Sequence, residues 1–315
     1  MTTPTTVTTA AVVDLGSNTI KLLVASVHQG QLTEHLSRTL ETRISTGIGR
    51  SRRPEIDQAT QERAATAVKE LLAAAAPFHP EKVAIVATSA VRGAANAGEF
   101  AKFMHAQTGH PLRVLSGEAE AAGVARGIST DPALQDSDRF HLIDLGGGSL
   151  EIVRHQAGRI ERGLSLEVGA VRMTERHCLH PEAPIPQAAF DAIVNDLDQQ
   201  LAHSGFVFEQ PFGRLIGTGG GVTITRAILA REHGMEIDHV PAAIALKDLE
   251  RIRDALASVD LSTRIERFGL PANRADILPA ALAILTRLTE LAGTEALTHS
   301  FRNLRFGIVA DLLEL

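Results

Sequence analysis

The sequence predicts a duplicated α/β fold, two tandem modules each built from strands alternating with helices. The first observation behind this is residues 143–151, I-D-L-G-G-G-S-L-E, which reads as a strand end, a tight turn and a second strand. The second is its echo at 13–21, V-D-L-G-S-N-T-I-K. The third is spacing: one shift of 130 positions carries Asp14 onto Asp144, Gly16 onto Gly146, Thr19 onto Ser149 and Thr88 onto Thr218. A single glycine turn recurs easily by chance. Two strand-turn units kept in order at one spacing are read as a tandem repeat.

A chain of 315 residues exceeds a comfortable single core, which agrees with two domains. With 44% hydrophobic and 22% charged residues it is ordinary globular sequence, neither disordered nor fibrous. There are 11 Phe and no Trp or Tyr, so stacking platforms for single-stranded nucleic acid are scarce. A net charge of −6 means that a polyanion would have to be held by a local cluster of donors, and general nucleic-acid affinity is not expected. Cys178 is the single cysteine, which excludes an internal disulfide and a cysteine-rich zinc site. The first nine residues read as a frayed tail without a basic leader, and no apolar run approaches membrane-spanning length. The expectation is a soluble cytoplasmic protein with a first module over 10–130 and a second over 131–315.

Each element has a local reason. Residues 10–15 are a short apolar run fit for a buried strand, 19–27 resume with β-branched residues, and a turn at 28–31 leads to a third strand over 32–43. Gly47, Gly49 and the following R-S-R-R-P make a basic loop, read first as solvated and second as a contact for a long polyanion. Apolar residues at helical spacing (Ala64, Ala65, Val68, Leu71, Leu72) predict a helix over 57–76, stopped before Pro77. A buried-type strand at 83–87, a helix over 97–107, a strand at 112–115 and a helix opened at Ser116 or Gly117 follow. The polar stretch 129–139 has the composition of a linker. Beyond it come a helix at 187–202, a strand at 214–217, a loop Thr218-Gly219-Gly220-Gly221 with a helix from Thr223 behind it, and helices at 247–258 and 278–291. Pro279 is tolerated because it falls in a first turn. Residues 300–307 read as a loop feeding a terminal helix, which the domain assignment lets pack back on the first module.

The chemistry concentrates at the repeated turns. Gly146, Gly147 and Gly148 have no Cβ to hinder close approach of backbone N–H groups to a phosphate, and Asp144 and Glu151 supply oxygens for a hard cation. His177-Cys178-Leu179-His180 places three metal-type donors together, but without further ligands at regular spacing it reads as ordinary helix or loop.

The arrangement resembles the superfamily of actin, sugar kinases and heat-shock chaperone ATPases, an actin-like (ribonuclease H-like) duplicated fold with two domains around a cleft. Within it the chain resembles the exopolyphosphatase and guanosine-pentaphosphate phosphatase family. The carriers are D-L-G-S-N-T from Asp14, A-T-S-A-V-R from Ala87, S-G-E-A-E-A from Ser116, D-L-G-G-G-S-L-E from Asp144, G-T-G-G-G from Gly217 and L-R-F-G from Leu304. Six motifs in the family's order span nearly the whole chain.

The resemblance implies hydrolysis of the terminal phosphoanhydride of inorganic polyphosphate, or of guanosine pentaphosphate within the stringent response. A non-catalytic phosphate or alarmone sensor is the reading of another class. It implies Glu120 as the carboxylate that activates water, with Glu118 a neighbour and Ala119 at the position of the family's first glutamate. Asp144 and Glu151 are implied as the acidic pair for metal and attacking water, with Asp14 as a further metal residue. Gly16, Ser17, Asn18, Lys21, Ser89, Arg92, Gly146, Gly147, Gly148, Ser149, Gly219 and Gly220 are implied to bind phosphate; Lys21 stands where relatives often carry arginine. Mg²⁺ or Mn²⁺, K⁺ and a homodimer are implied by resemblance alone, with no nucleic acid and no membrane. Three departures stand out: Leu150 in place of a threonine, Phe306 in place of the acid of the closing motif, and the lack of the helical extension of longer members. Leu150, beside the metal corner, is where altered specificity is first expected.

Overall fold

The computed structural model describes residues 8–45, 54–210 and 212–315; the basic loop read at 47–53 lies outside them. Strands β1 (Thr9–Leu15), β2 (Thr19–His28) and β3 (Gln31–Glu41) form a meander, followed by α1 (Gln58–Ala75), β4 (Lys82–Ala87), the single turn α2 (Ser89–Arg92), α3 (Ala97–Thr108), β5 (Leu112–Val114) and α4 (Gly117–Ile128). A second meander β6 (Arg139–Leu145), β7 (Leu150–Gln156) and β8 (Arg159–Leu166) is followed by α5 (Ala170–His177), α6 (Gln187–Ser204), β9 (Arg214–Thr218) and α7 (Gly220–Glu232). Then come β10 (Ala243–Ala245), α8 (Leu246–Ala257), α9 (Leu261–Phe268), α10 (Ala272–Ala275), α11 (Leu278–Leu291), β11 (Ala296–His299) and α12 (Leu304–Leu312).

The described residues divide into two compact units, 8–45 with 54–135 and 302–315, and 136–210 with 212–301. The first holds a five-stranded sheet in the order β3-β2-β1-β4-β5, the second a six-stranded sheet β8-β7-β6-β9-β11-β10. In both, the meander strands are antiparallel and the following two additions parallel; β10 is the extra antiparallel edge of the second sheet. This is one α/β module twice.

The duplication reaches fine detail. The middle strand of each meander carries a register irregularity at Val24/Ala25 and at Arg154/His155, again 130 positions apart. Both meanders turn on two residues with positive φ, Gln29-Gly30 and Ala157-Gly158, the backbone that a two-residue hairpin requires. The offset of 130 has already slipped to 128 at these hairpins, and it does not hold further on. Asp14 pairs with Val86, but Asp144 pairs with Thr218 rather than with residue 216, so the second turn is displaced by two in the ladder. The equivalence of Thr88 with Thr218 is thereby corrected.

Two further expectations change. Gly220 and Gly221 are not loop but the first turn of α7, behind an N-cap at Gly219. The terminal helix begins at Leu304, where the Asn303 side chain accepts the Arg305 N–H. It belongs to the first unit and packs on α4 through glycines: a Cβ at Gly307 would lie 1.9 Å from the Gly123 carbonyl oxygen, and one at Gly127 2.1 Å from that of Asn303. In the second unit α11 is buried along nearly its whole length, among α5, α6, α7 and α8. The strand β8 and the helix α5, absent from the sequence reading, complete the surroundings of the glycine corner.

Candidate active site

In the first unit three adjacent strand ends carry the chemistry, since β1, β4 and β5 run parallel and finish side by side. The β1–β2 hairpin presents Asp14, Gly16, Ser17, Asn18 and Lys21, with Asp14 directly opposite Lys21. Oδ1 of Asp14 is buried and has no hydrogen-bond partner among the described residues. Burial pushes its carboxyl above the usual carboxylate range, opposed by Lys21 and Arg305. Arg305, from the closing motif, is buried with Nη1 on the carbonyl oxygen of Leu22 at 2.7 Å. Phe306 fills the place of the motif's acid and lies under the guanidinium of Arg302, 4.2 Å from the ring centre.

At the next strand end the Thr88 N–H bonds the Leu15 carbonyl, and Ser89 and Arg92 stand on α2. At the third, Ser116 caps α4 by accepting the Ala119 N–H at 3.1 Å. Glu118 on this first turn is exposed, whereas Glu120 is 6% exposed. Arg92 reaches across: its Nη1 donates to Glu120 Oε2 at 2.6 Å and to the Leu115 carbonyl at 3.0 Å. The residues read as phosphate arginine and water-activating glutamate are therefore an ion pair.

In the second unit the ladder explains which side chains face together. Asp144, Glu151 and Ser165 lie in one row across β6, β7 and β8, and Leu145, Leu150 and Leu166 in the next. Successive residues of a strand face opposite sides, so Leu150 is fully buried in the core and does not reach the acidic face. The departure from threonine here is core packing. Glu151 accepts the Ser165 hydroxyl at 2.6 Å. Where the first hairpin sets a lysine against its aspartate, this one sets a carboxylate against a carboxylate.

The glycine corner is fastened from behind. The N–H groups of Ala170, Val171 and Arg172, at the start of α5, bond the carbonyls of Gly146 and Gly147 at 2.9–3.1 Å, and the buried Arg172 donates Nε to the Gly148 carbonyl at 2.8 Å. A trans peptide sets its N–H opposite its C=O, so the N–H groups of Gly147, Gly148 and Ser149 all turn away from α5. Successive N–H groups aimed one way form an anion-binding concavity. The first unit uses the same device: residues 42, 43 and 45 donate to the carbonyls of Ser17 and Asn18. Gly169 is required by the close approach, because a Cβ there would stand 2.4 Å from Gly147.

Beside this corner, Gly219 has φ +102 and a Cβ on it would lie 2.9 Å from Asp144 Oδ1. The Gly220 backbone is covered by Arg274, whose Nη1 would be 3.2 Å from a Cβ at that position. Arg172, Gly169 and Arg274 escaped the sequence reading. Only the helix-opening V-G-A-V-R pattern after an alternating strand could have drawn attention to the first two.

Among the described residues no three His, Cys, Asp or Glu side chains are grouped as a ready metal cage. His177 bonds Asp196 at 2.9 Å and burial pushes the Cys178 thiol up to about 11, so that pair of groups is structural. The opposed carboxylates of Asp144 and Glu151 are hard oxygen donors of the kind that Mg²⁺ takes together with substrate phosphate oxygens.

Comparison with known proteins points to one family. The model of the Ppx/GppA phosphatase family matches residues 23–315. A guanosine-5'-triphosphate,3'-diphosphate pyrophosphatase of Vibrio cholerae is 26% identical over 306 residues, which are 96% of this chain and 59% of that protein's length. Among solved structures, an exopolyphosphatase from Cytophaga hutchinsonii superposes with a TM-score of 0.86 at 22% identity, covering 97% of this chain and 98% of that one. A Ppx/GppA family member from Aquifex aeolicus gives 0.80 at 23% identity, covering 98% of both. The chain belongs to the Ppx/GppA phosphatase family.

Proposed function

We propose that this protein hydrolyses the terminal phosphoanhydride of inorganic polyphosphate and releases orthophosphate. The observation that carries the reading is the fastened glycine corner, three N–H groups turned one way next to the opposed carboxylates of Asp144 and Glu151. Donors fixed before the substrate arrives stabilise charge on a transferring phosphoryl group without reorganisation. Asp144 and Glu151 would hold Mg²⁺, which when bound neutralises phosphate charge. In the first unit Glu120 is the base that takes a proton from water, and Arg92 pairs with it until phosphate competes for the guanidinium.

Guanosine pentaphosphate is the second substrate, favoured by the name of the Vibrio cholerae relative. It presents the same terminal phosphoanhydride, and the same corner would take it. The deciding experiment is a side-by-side measurement of kcat/KM on long-chain polyphosphate, tripolyphosphate and guanosine pentaphosphate with Mg²⁺. Polyphosphate is expected to be the best substrate, and chelation to abolish turnover. A higher kcat/KM on guanosine pentaphosphate moves the assignment to the second substrate; ligand binding without phosphate release moves it to a sensor. Among the described residues no helix is long and apolar enough to cross a membrane.

A further inference from the structure

We propose that His299 is a positioning residue: as the neutral imidazole with its proton on Nε2, it fixes through Thr223 the carbonyl of Gly219 and with it the glycine turn at the head of α7. The proposal rests on the reading of Gly219 and Gly220 as phosphate-binding.

His299 ends β11 and is 4% exposed. Its Nδ1 lies 3.3 Å from Nη1 of Arg226. A guanidinium has only N–H groups to offer, so Nδ1 is the acceptor and the ring proton sits on Nε2. Nε2 is 3.1 Å from the Thr223 hydroxyl oxygen, which accepts that proton and donates its own to the Gly219 carbonyl at 3.0 Å. The Thr223 N–H bonds the same carbonyl at 3.1 Å. Threonine in a helix divides between two χ1 rotamers, and the imidazole selects the one that reaches back to Gly219. Arg226 is itself fixed, by Nη2 on the Val240 carbonyl at 2.7 Å and by its place over the Phe301 ring.

The consequence falls on the 219–220 peptide. With its carbonyl held by two donors of Thr223, its N–H faces out of the end of α7, among the orphan donors of the first helical turn. Gly219 lies at positive φ and has no side chain to anchor it, so the restraint comes from the neighbouring strand β11, whose His299 stands opposite Gly217 of β9. Each bond in the relay orients the next.

The test uses the purified protein with tripolyphosphate as probe, affinity by calorimetry and turnover by phosphate release. His299→Leu should weaken affinity and raise KM about fivefold, the worth of one hydrogen bond, with kcat within about twofold. His299→Gln, whose amide NH₂ reaches the place of Nε2, should restore both to within about twofold of the parent, and Thr223→Val should match His299→Leu. The double variant should be no worse than either single one. Long-range ¹⁵N NMR of the parent should find a pyrrole-like Nε2 and a pyridine-like Nδ1. A folded His299→Leu protein that binds tripolyphosphate as tightly as the parent, additive losses in the double variant, or a proton on Nδ1 would each overturn the proposal. If the parent binds tripolyphosphate without cleaving it, the hydrolase reading fails and affinity still decides the role of His299; if the parent does not bind it, both fall.

Discussion

Among single residues, the contrast between Glu118 and Glu120 is the most informative. Both stand in the first turn of α4, yet one faces solvent and the other is buried against Arg92 at 2.6 Å. A carboxylate is buried only with compensation, and Arg92 supplies it. Removing the charge while keeping the shape separates binding from chemistry: Glu120→Gln should lower kcat ~10²–10⁴-fold and leave KM within about threefold. Turnover equal to the parent's would exclude Glu120 as the base. The glutamate could be picked out in the sequence through its motif, but its pairing with Arg92 could not, because the two residues are brought together by the adjacency of β4 and β5. The residue-level reading of Leu150 failed for a related reason. Proximity to Ser149 in sequence suggested the site, and the two-residue period of a strand sends the side chain to the opposite face.

For the elements, the glycine corner is not a property of β6 and β7 alone. Its carbonyls are engaged by α5, and that engagement is what turns the N–H groups outward. A sequence shows the missing side chains of Gly146, Gly147 and Gly148 but not what lies behind them, since Gly169 and Arg172 follow an intervening strand. The same limit applies to β8 and to the glycine contacts between α4 and α12, which depend on surfaces meeting rather than on periodicity. The strongly periodic helices α1, α6, α8 and α11 were readable because each buries one face or, in α11, nearly all of itself. Gly169→Ala tests the corner directly. A Cβ 2.4 Å from Gly147 must push the corner off α5, which should cost about 1–3 kcal/mol of stability and at least about tenfold in kcat/KM. Arg172→Leu keeps the helix start and removes side-chain bonds, among them those to Gly148 and Glu167, without forcing a Cβ into the corner, so its effect on kcat/KM should be the smaller of the two. Equal activity of Gly169→Ala and parent in a phosphate-release assay would show that the corner does not need its backing.

Over the whole molecule, the tandem repeat was visible as one offset in the sequence, and the sheets show where it holds and where it lapses. It survives through β1/β6, the corner and the strand irregularities. It drifts by two at β4/β9, because the intervening helices and loops are free to change length once each sheet fixes its own ladder. The repeat also leaves one buried group with no counterpart: His141 of β6 aligns with Ala11, which is fully buried in the first unit. Its ring lies among Phe206, Phe208 and Phe212, with centroids 4.5–6.0 Å away, and its buried Nε2 has no hydrogen-bond partner among the described residues. Burial, helped by Arg154, pushes its pKa down to about 4, against about 6.5 in an unfolded chain. The sign follows from linkage. Above about pH 6.5 both states hold a neutral imidazole and the group makes no difference; as pH falls toward 4 the unfolded chain binds the proton first, and the fold is destabilised. At pH 5 the loss is about 2 kcal/mol. His141→Phe removes the titration from an aromatic surrounding that suits the new ring. Urea unfolding followed by far-UV circular dichroism at pH 7.5 and pH 5 should therefore show the variant losing about 2 kcal/mol less than the parent between the two conditions, whereas equal losses would mean that His141 takes up its proton inside the folded protein.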